Sequence, residues 1–137
     1  MFRQIAALPR VKLYSLQRNH GTEQLATIAE EFEGEFKVEQ FDEKFDSEGA
    51  FLDSAAAIKN LDLVISADTA IAHLAAGLGC EVWVALKLVP DWRHMLTCEY
   101  SPWYPQMRLF RQKQYWSWDS VFAEMTQALQ TRLENKA

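Results

Sequence analysis

The residues best placed to do chemistry lie in the run Ser66-Ala67-Asp68-Thr69-Ala70-Ile71-Ala72-His73, where a short apolar stretch gives way to helical periodicity. A helix that starts here leaves the N–H groups of Thr69, Ala70 and Ile71 without intrahelical acceptors, and its dipole favours negative charge at that end. The small side chain of Ala70 lets a phosphate approach the backbone. Thr69 adds a hydroxyl, and His73 follows one turn later, roughly on the same face. Asp68 suits a phosphate site only if it caps the helix or turns to another group, such as a sugar hydroxyl. A plainer reading stands beside this one: Asp68 and Thr69 are capping residues and His73 is a satisfied core histidine. The turn is neither a P-loop nor a dinucleotide fingerprint, because GxxxxGK[ST] and GxGxxG are both absent.

A second constellation combines Pro90-Asp91-Trp92-Arg93-His94 with Ser101-Pro102-Trp103-Tyr104-Pro105 and Arg108-Leu109-Phe110-Arg111-Gln112. Proline-stiffened loops carrying Trp, Tyr and Arg can offer a stacking surface and an anion clamp for a sugar or an acceptor. The alternative is that Trp92, Trp103 and Tyr104 roof the sheet while Arg93 pairs with Asp91. A third candidate is Gln17-Arg18, at the end of the first predicted strand; a solvated loop end accounts for it equally well. His20, His73 and His94 are widely spaced, so only the fold could assemble a metal cluster, and none is expected. Cys80 and Cys98 match no disulfide framework or zinc spacing and read as ordinary thiols in a reducing cytoplasm. There is no nucleophile elbow and no CxxC.

The elements that position these residues alternate between strand and helix. Val11–Leu16 reads as a strand, and Thr22 as the cap of a helix carrying Leu25, Ile28, Ala29 and Phe32. A second strand, Phe36–Phe41, precedes an acidic loop, and Asp53 or Ser54 then caps a short helix, Ser54–Asn60. Leu61–Ser66, nearly all apolar in its later part, reads as a central parallel strand buried on both faces. Asp68 or Thr69 caps the next helix, whose stripe is Ile71, Leu74, Ala75 and Leu78 and which Gly79 closes. Val82–Leu86 is a fourth strand and Arg108–Phe110 a fifth. Ser117 caps a final helix with Val121, Phe122, Met125 and Leu129 on one side, and Glu134–Ala137 frays. This alternation predicts an α/β domain with a doubly wound sheet. The loops at Gln17–Gly21, Ser66–Thr69 and Lys87–Pro90 fall at the carboxyl ends of its strands, where such sheets bind ligands.

The 137 residues suit one domain, here 1–137, and the net charge of −5 argues against a nucleic-acid partner. No segment is apolar enough to span a bilayer, and Arg3 and Gln4 interrupt any signal-peptide core. Aromatic residues make up 12%, with five Trp.

Taken together, the motifs resemble a known family. Leu61–Gly79, "LDLVISADTAIAHLAAGLG", looks like the nucleotide-diphosphate-binding segment of family 9, heptosyltransferase-type glycosyltransferases of GT-B fold. It is closer still to their relatives at the C-terminus of bacterial tetratricopeptide-repeat proteins. In that subgroup a strand ending in "SLQ" opens the domain, as Tyr14–Gln17 does. Segments like "VPDWR", "SPWYP" and "RLFRQ" close it, as Val89–Arg93, Ser101–Pro105 and Arg108–Gln112 do. The resemblance implies a Rossmann-like doubly wound parallel sheet of about five strands, one half of a GT-B fold. It implies that Asp68, Thr69, Ala70, Ile71 and His73, with Gln17 and Arg18, bind a nucleotide-sugar, and that Asp91, Trp92 and Arg93 form a sugar or acceptor loop. No metal or other cofactor is required by the motif. Ala70 stands where heptosyltransferases have glycine, and Lys87 where the repeat-protein relatives often have proline. GT-B enzymes place acceptor and general base on an N-terminal domain, so transfer would need that domain, or a tetratricopeptide region, as partner. The alternative is a non-catalytic interaction or homo-oligomerisation module.

Overall fold

A computed structural model describes residues 2–18, 21–31 and 38–135. The strands are β1 (Leu13–Ser15), β2 (Val38–Gln40), β3 (Val64–Ala67), β4 (Val82–Leu86) and β5 (Met107–Arg111). The helices are α1 (Phe2–Ala6), α2 (Glu23–Glu31), α3 (Leu52–Lys59), α4 (Ala70–Gly77) and α5 (Asp119–Asn135), with a 3-10 turn at Trp92–His94. All strand pairing within the sheets is parallel, but it forms two sheets rather than one of five strands: β1–β2, and β3–β4–β5.

The centre of the larger sheet is β4, not the strand at Leu61–Ser66. Every residue of β4 is buried, whereas β3 starts only at Val64 and buries that residue alone. Within the described ladders β3 pairs on one side only, with β4, and its Ile65 and Ser66 are half-buried. Alternation along β4 divides the core. Val82, Val84 and Leu86 pack with Ile58 of α3, Ala72, Ala75 and Ala76 of α4, and Met107 and Leu109 of β5. Trp83 and Ala85 point the other way, onto Phe110 of β5, Val121, Phe122, Met125 and Leu129 of α5, and Ile5 of α1. Helices thus cover both faces. Leu13 packs against the second cluster and Leu16 against the first, so the chain around β1 touches both cores without a β1–β3 ladder among the described residues.

Local chemistry explains where helices begin and end. The helix expected from Ser54 starts at Leu52, after Phe51 in the left-handed region (φ 65°), and neither Asp53 nor Ser54 caps it. Asp46 does so from outside, accepting from the Ser54 N–H at 3.0 Å and hydroxyl at 2.5 Å, while the Asp53 carboxylate accepts from the Asp46 N–H at 2.7 Å. Burial pushes the Asp46 carboxyl up, but the Ser54 hydrogen bonds, the Asp53 N–H and the Arg18 charge together hold the group below its ordinary value. At the end of α4 the Gly79 N–H donates to the Ala76 carbonyl and the Cys80 N–H to the Ala75 carbonyl, with Gly79 at φ 78°. This paired closure needs a left-handed residue. The final helix begins at Asp119 instead of after a Ser117 cap; the Ser117 carbonyl accepts from the Ser120 hydroxyl. The short helix α1 had no counterpart in the sequence pattern and packs on α5 through fully buried Ile5. Phe32, Phe36 and the tail from Lys136 lie outside the described residues.

Candidate functional site

The β3–α4 turn and the loop after β4 meet at the carboxyl ends of the parallel strands. Between them is an open pocket of about 650 Å³ lined by Asp68, Thr69, Ala70, His73, Asp91, Trp92, Arg93, Trp103 and Tyr104. All nine were singled out in the sequence, and seven of them, Asp68, Thr69, Ala70, His73, Asp91, Trp92 and Arg93, are those that the resemblance assigns to a nucleotide-sugar or acceptor site.

Thr69 occupies the N-cap position of α4 in extended conformation, yet its side chain makes no cap hydrogen bond. Its hydroxyl bonds Ser66 Oγ at 3.0 Å instead. The Ala72 N–H closes the first turn on the Thr69 carbonyl at 3.1 Å, and the Thr69 side chain leaves the amides before it without a cap. A helix start of this kind suits an anion. Ile71 does not line the pocket, and its side chain packs on the first core cluster.

Asp68 does not cap the helix. Its Oδ1 lies 3.0 Å from His94 Nε2 and 3.6 Å from His73 Nε2. A carboxylate offers only acceptors, so the hydrogen of this contact is on His94 Nε2. The core histidine is His94, whose side chain is 1% exposed, and not His73, at 31%. The two rings stack with centroids 6.0 Å apart, and His73 also meets Tyr104 at 5.8 Å. His94 is held by its backbone as well, its carbonyl accepting from Arg111 Nη2 at 3.1 Å. Burial lowers the Arg111 pKa from its ordinary value. Among the described residues, His94 Nδ1, Arg111 Nη1 and Gln112 Nε2 are buried without a hydrogen-bond partner.

The aromatic wall is fixed by its own short contacts. Asp91 Oδ1 accepts from the Arg93 N–H at 3.0 Å and pairs with Arg93 Nη1 at 2.7 Å. That N–H first of all, opposed by partial burial and helped by the guanidinium charge, holds the Asp91 carboxyl below its ordinary value. The Arg93 guanidinium lies over the Trp92 ring at 5.3 Å, and the Trp103 indole N–H donates to the Arg93 carbonyl at 3.0 Å. The Asp91–Arg93 pairing is therefore made, but Trp92 (69% exposed) and Trp103 (57%) do not roof a core. They stand edge to face at 6.4 Å beside the pocket.

Gln17 and Arg18 are placed elsewhere. The Gln17 N–H donates to Ser15 Oγ, and the Arg18 guanidinium donates to the Phe45 carbonyl and lies 5.8 Å over that ring. Neither lines the pocket around Asp68. Two of its features were missed in the sequence. His94 and Asp68 are 26 residues apart, and no local spacing signals their contact. Tyr104 sits in a motif that the sequence did mark, but its packing on His73 depends on the fold.

Fold and site together define an α/β domain with parallel sheets and a polar, aromatic-walled pocket at its strand ends. Among curated proteins, the chain is similar to Protein FlbA of Caulobacter vibrioides, with 33% identity over 122 residues. The match covers 88% of this chain and 20% of that protein, so the chain spans about a fifth of the length of its relative. No family model and no solved structure matches.

Proposed function

We propose that this domain binds the diphosphate of a nucleotide-sugar at the β3–α4 turn, as the donor-binding half of a GT-B glycosyltransferase of family 9 type. In this reading β1–β2 and β3–β4–β5 are the two parts of one Rossmann-like, doubly wound sheet. The observation that carries it is the uncapped start of α4 opening into a pocket flanked by Trp92, Trp103 and Arg93. The amides of Ala70 and Ile71 take phosphate oxygens, Arg93 supplies positive charge, and an indole face stacks on base or sugar. In this reading the acceptor and the general base reside on a further domain, and the domain described here supplies the donor site.

Calorimetry with ADP, GDP and UDP tests the reading. Binding of at least one diphosphate is expected, weakened about tenfold by Arg93→Ala through loss of a charged hydrogen bond. Affinity unchanged by Arg93→Ala and by Thr69→Val would contradict it.

One observation favours a second reading, an interaction module. Val89, Trp92, Met95, Leu96, Tyr100 and Trp103 are all exposed in one stretch of the chain, and such display marks contact surfaces. A hydrodynamic size that rises with concentration, without any nucleotide response, would select this reading over the first.

A further inference from the structure

The fold assembles what the sequence spacing did not lead one to expect, a cluster of two imidazoles and one carboxylate. We propose that Asp68, His73 and His94 form a binding site for a divalent transition-metal ion of the zinc class, its remaining coordination positions open to the aromatic pocket. The three groups come from three places: the residue after β3, the first turn of α4, and the 3-10 turn after β4. Their ligand atoms all lie within 4.8 Å of one another. Tetrahedral zinc with bonds of about 2.0–2.1 Å holds its ligand atoms about 3.3 Å apart. The separations from Asp68 Oδ1, 3.0 Å to His94 Nε2 and 3.6 Å to His73 Nε2, bracket that value.

The donor set decides the class of ion. Two imidazole nitrogens and one carboxylate oxygen suit zinc, iron, cobalt or nickel, whereas magnesium and calcium prefer oxygen alone. Preorganisation comes from His94, fixed in the interior by the Arg111 contact to its carbonyl. Ligation through Nε2 requires its hydrogen to sit on Nδ1 instead, which is buried without a hydrogen-bond partner among the described residues. Three protein ligands leave a fourth position for water or for an oxygen of a bound molecule, as in open zinc sites. The site also gives Asp68 a place beside an anion pocket, because a bound cation reverses the repulsion between carboxylate and phosphate.

This goes beyond nucleotide binding, and the probe is the metal alone. The tag-free, chelator-treated chain is titrated with Zn²⁺ by calorimetry and with Co²⁺ by visible absorption. One equivalent should bind, with a Co²⁺ spectrum of nitrogen and oxygen ligation. Asp68→Asn and His73→Ala, at partly exposed positions, should each weaken binding by at least about tenfold while circular dichroism and metal-free melting stay unchanged. Should either variant melt differently, His73→Gln provides the same comparison. The proposal is overturned by absence of binding at millimolar metal or by affinity that survives these substitutions. A thiolate-to-cobalt charge-transfer band, placing the ion on Cys80 or Cys98, also overturns it.

Discussion

At the residue scale, the pocket depends on short-range contacts that differ in how visible they are from the sequence. Asp91 and Arg93 are two apart, and their pairing follows from the local turn. The carboxyl of Asp91 has a folded pKa below its ordinary value of 3.8. A depressed acid stabilises the fold above its unfolded pKa and loses that contribution as pH falls through the folded one. The Arg93 amide resonance should therefore stay constant from neutrality down to about pH 4 and move only at more acidic pH. Movement centred at or above the ordinary carboxylate range would contradict this. Asp91→Ala should displace the same resonance at all pH values and free the Trp103 indole from the Arg93 carbonyl, which indole fluorescence would register. By contrast, the Asp68–His94 contact joins residues whose proximity exists only once β3 and β4 are paired. No arrangement of neighbouring letters encodes it.

At the element scale, much of the pattern was legible because burial imposes a period. The five apolar residues of Val82–Leu86 became β4 without revision, and the helical stripe of Ile71, Leu74, Ala75 and Leu78 became the packed side of α4. Gly79 closed that helix because the left-handed turn disfavours any side chain. An added Cβ there meets nothing within 4 Å, so Gly79→Ala carries backbone strain without a clash. It should cost about 1–2 kcal/mol in chemical denaturation; a loss above about 3 kcal/mol would mean that packing has been disturbed as well. Cap positions were less legible. Asp53 and Ser54 have the right chemistry for a cap, but Asp46, seven and eight residues upstream of them, performs it. Burial of β3 was overstated because apolar content alone does not reveal whether a strand has neighbours on both sides.

At the scale of the whole molecule, one parallel sheet carries helices on both faces, and its strand ends carry the pocket. Phe110 is among the largest fully buried side chains and ties β5 to Trp83 and to α5. Phe110→Ala should cost about 3–5 kcal/mol, a large share of the total for a domain of this size. A urea midpoint within error of the parent would contradict that packing. The division of the strands into two sheets was not readable, since strand spacing says nothing about which edges find hydrogen-bond partners. The alternation of strand and helix was, and so was the grouping of Asp68 to His73 with Asp91 to Arg93 around the strand ends, where the pocket lies.

The central claim is that the start of α4 receives a nucleoside diphosphate. Amide chemical shifts of the 137-residue chain, recorded during titration with ADP, GDP and UDP in turn, test it most directly. The account predicts saturable movement at Thr69, Ala70 and Ile71 and at the indole N–H groups of Trp92 and Trp103, with at least one of the three nucleotides. Absence of change at millimolar concentrations of all three, or changes confined to the loop around Phe45, would contradict it.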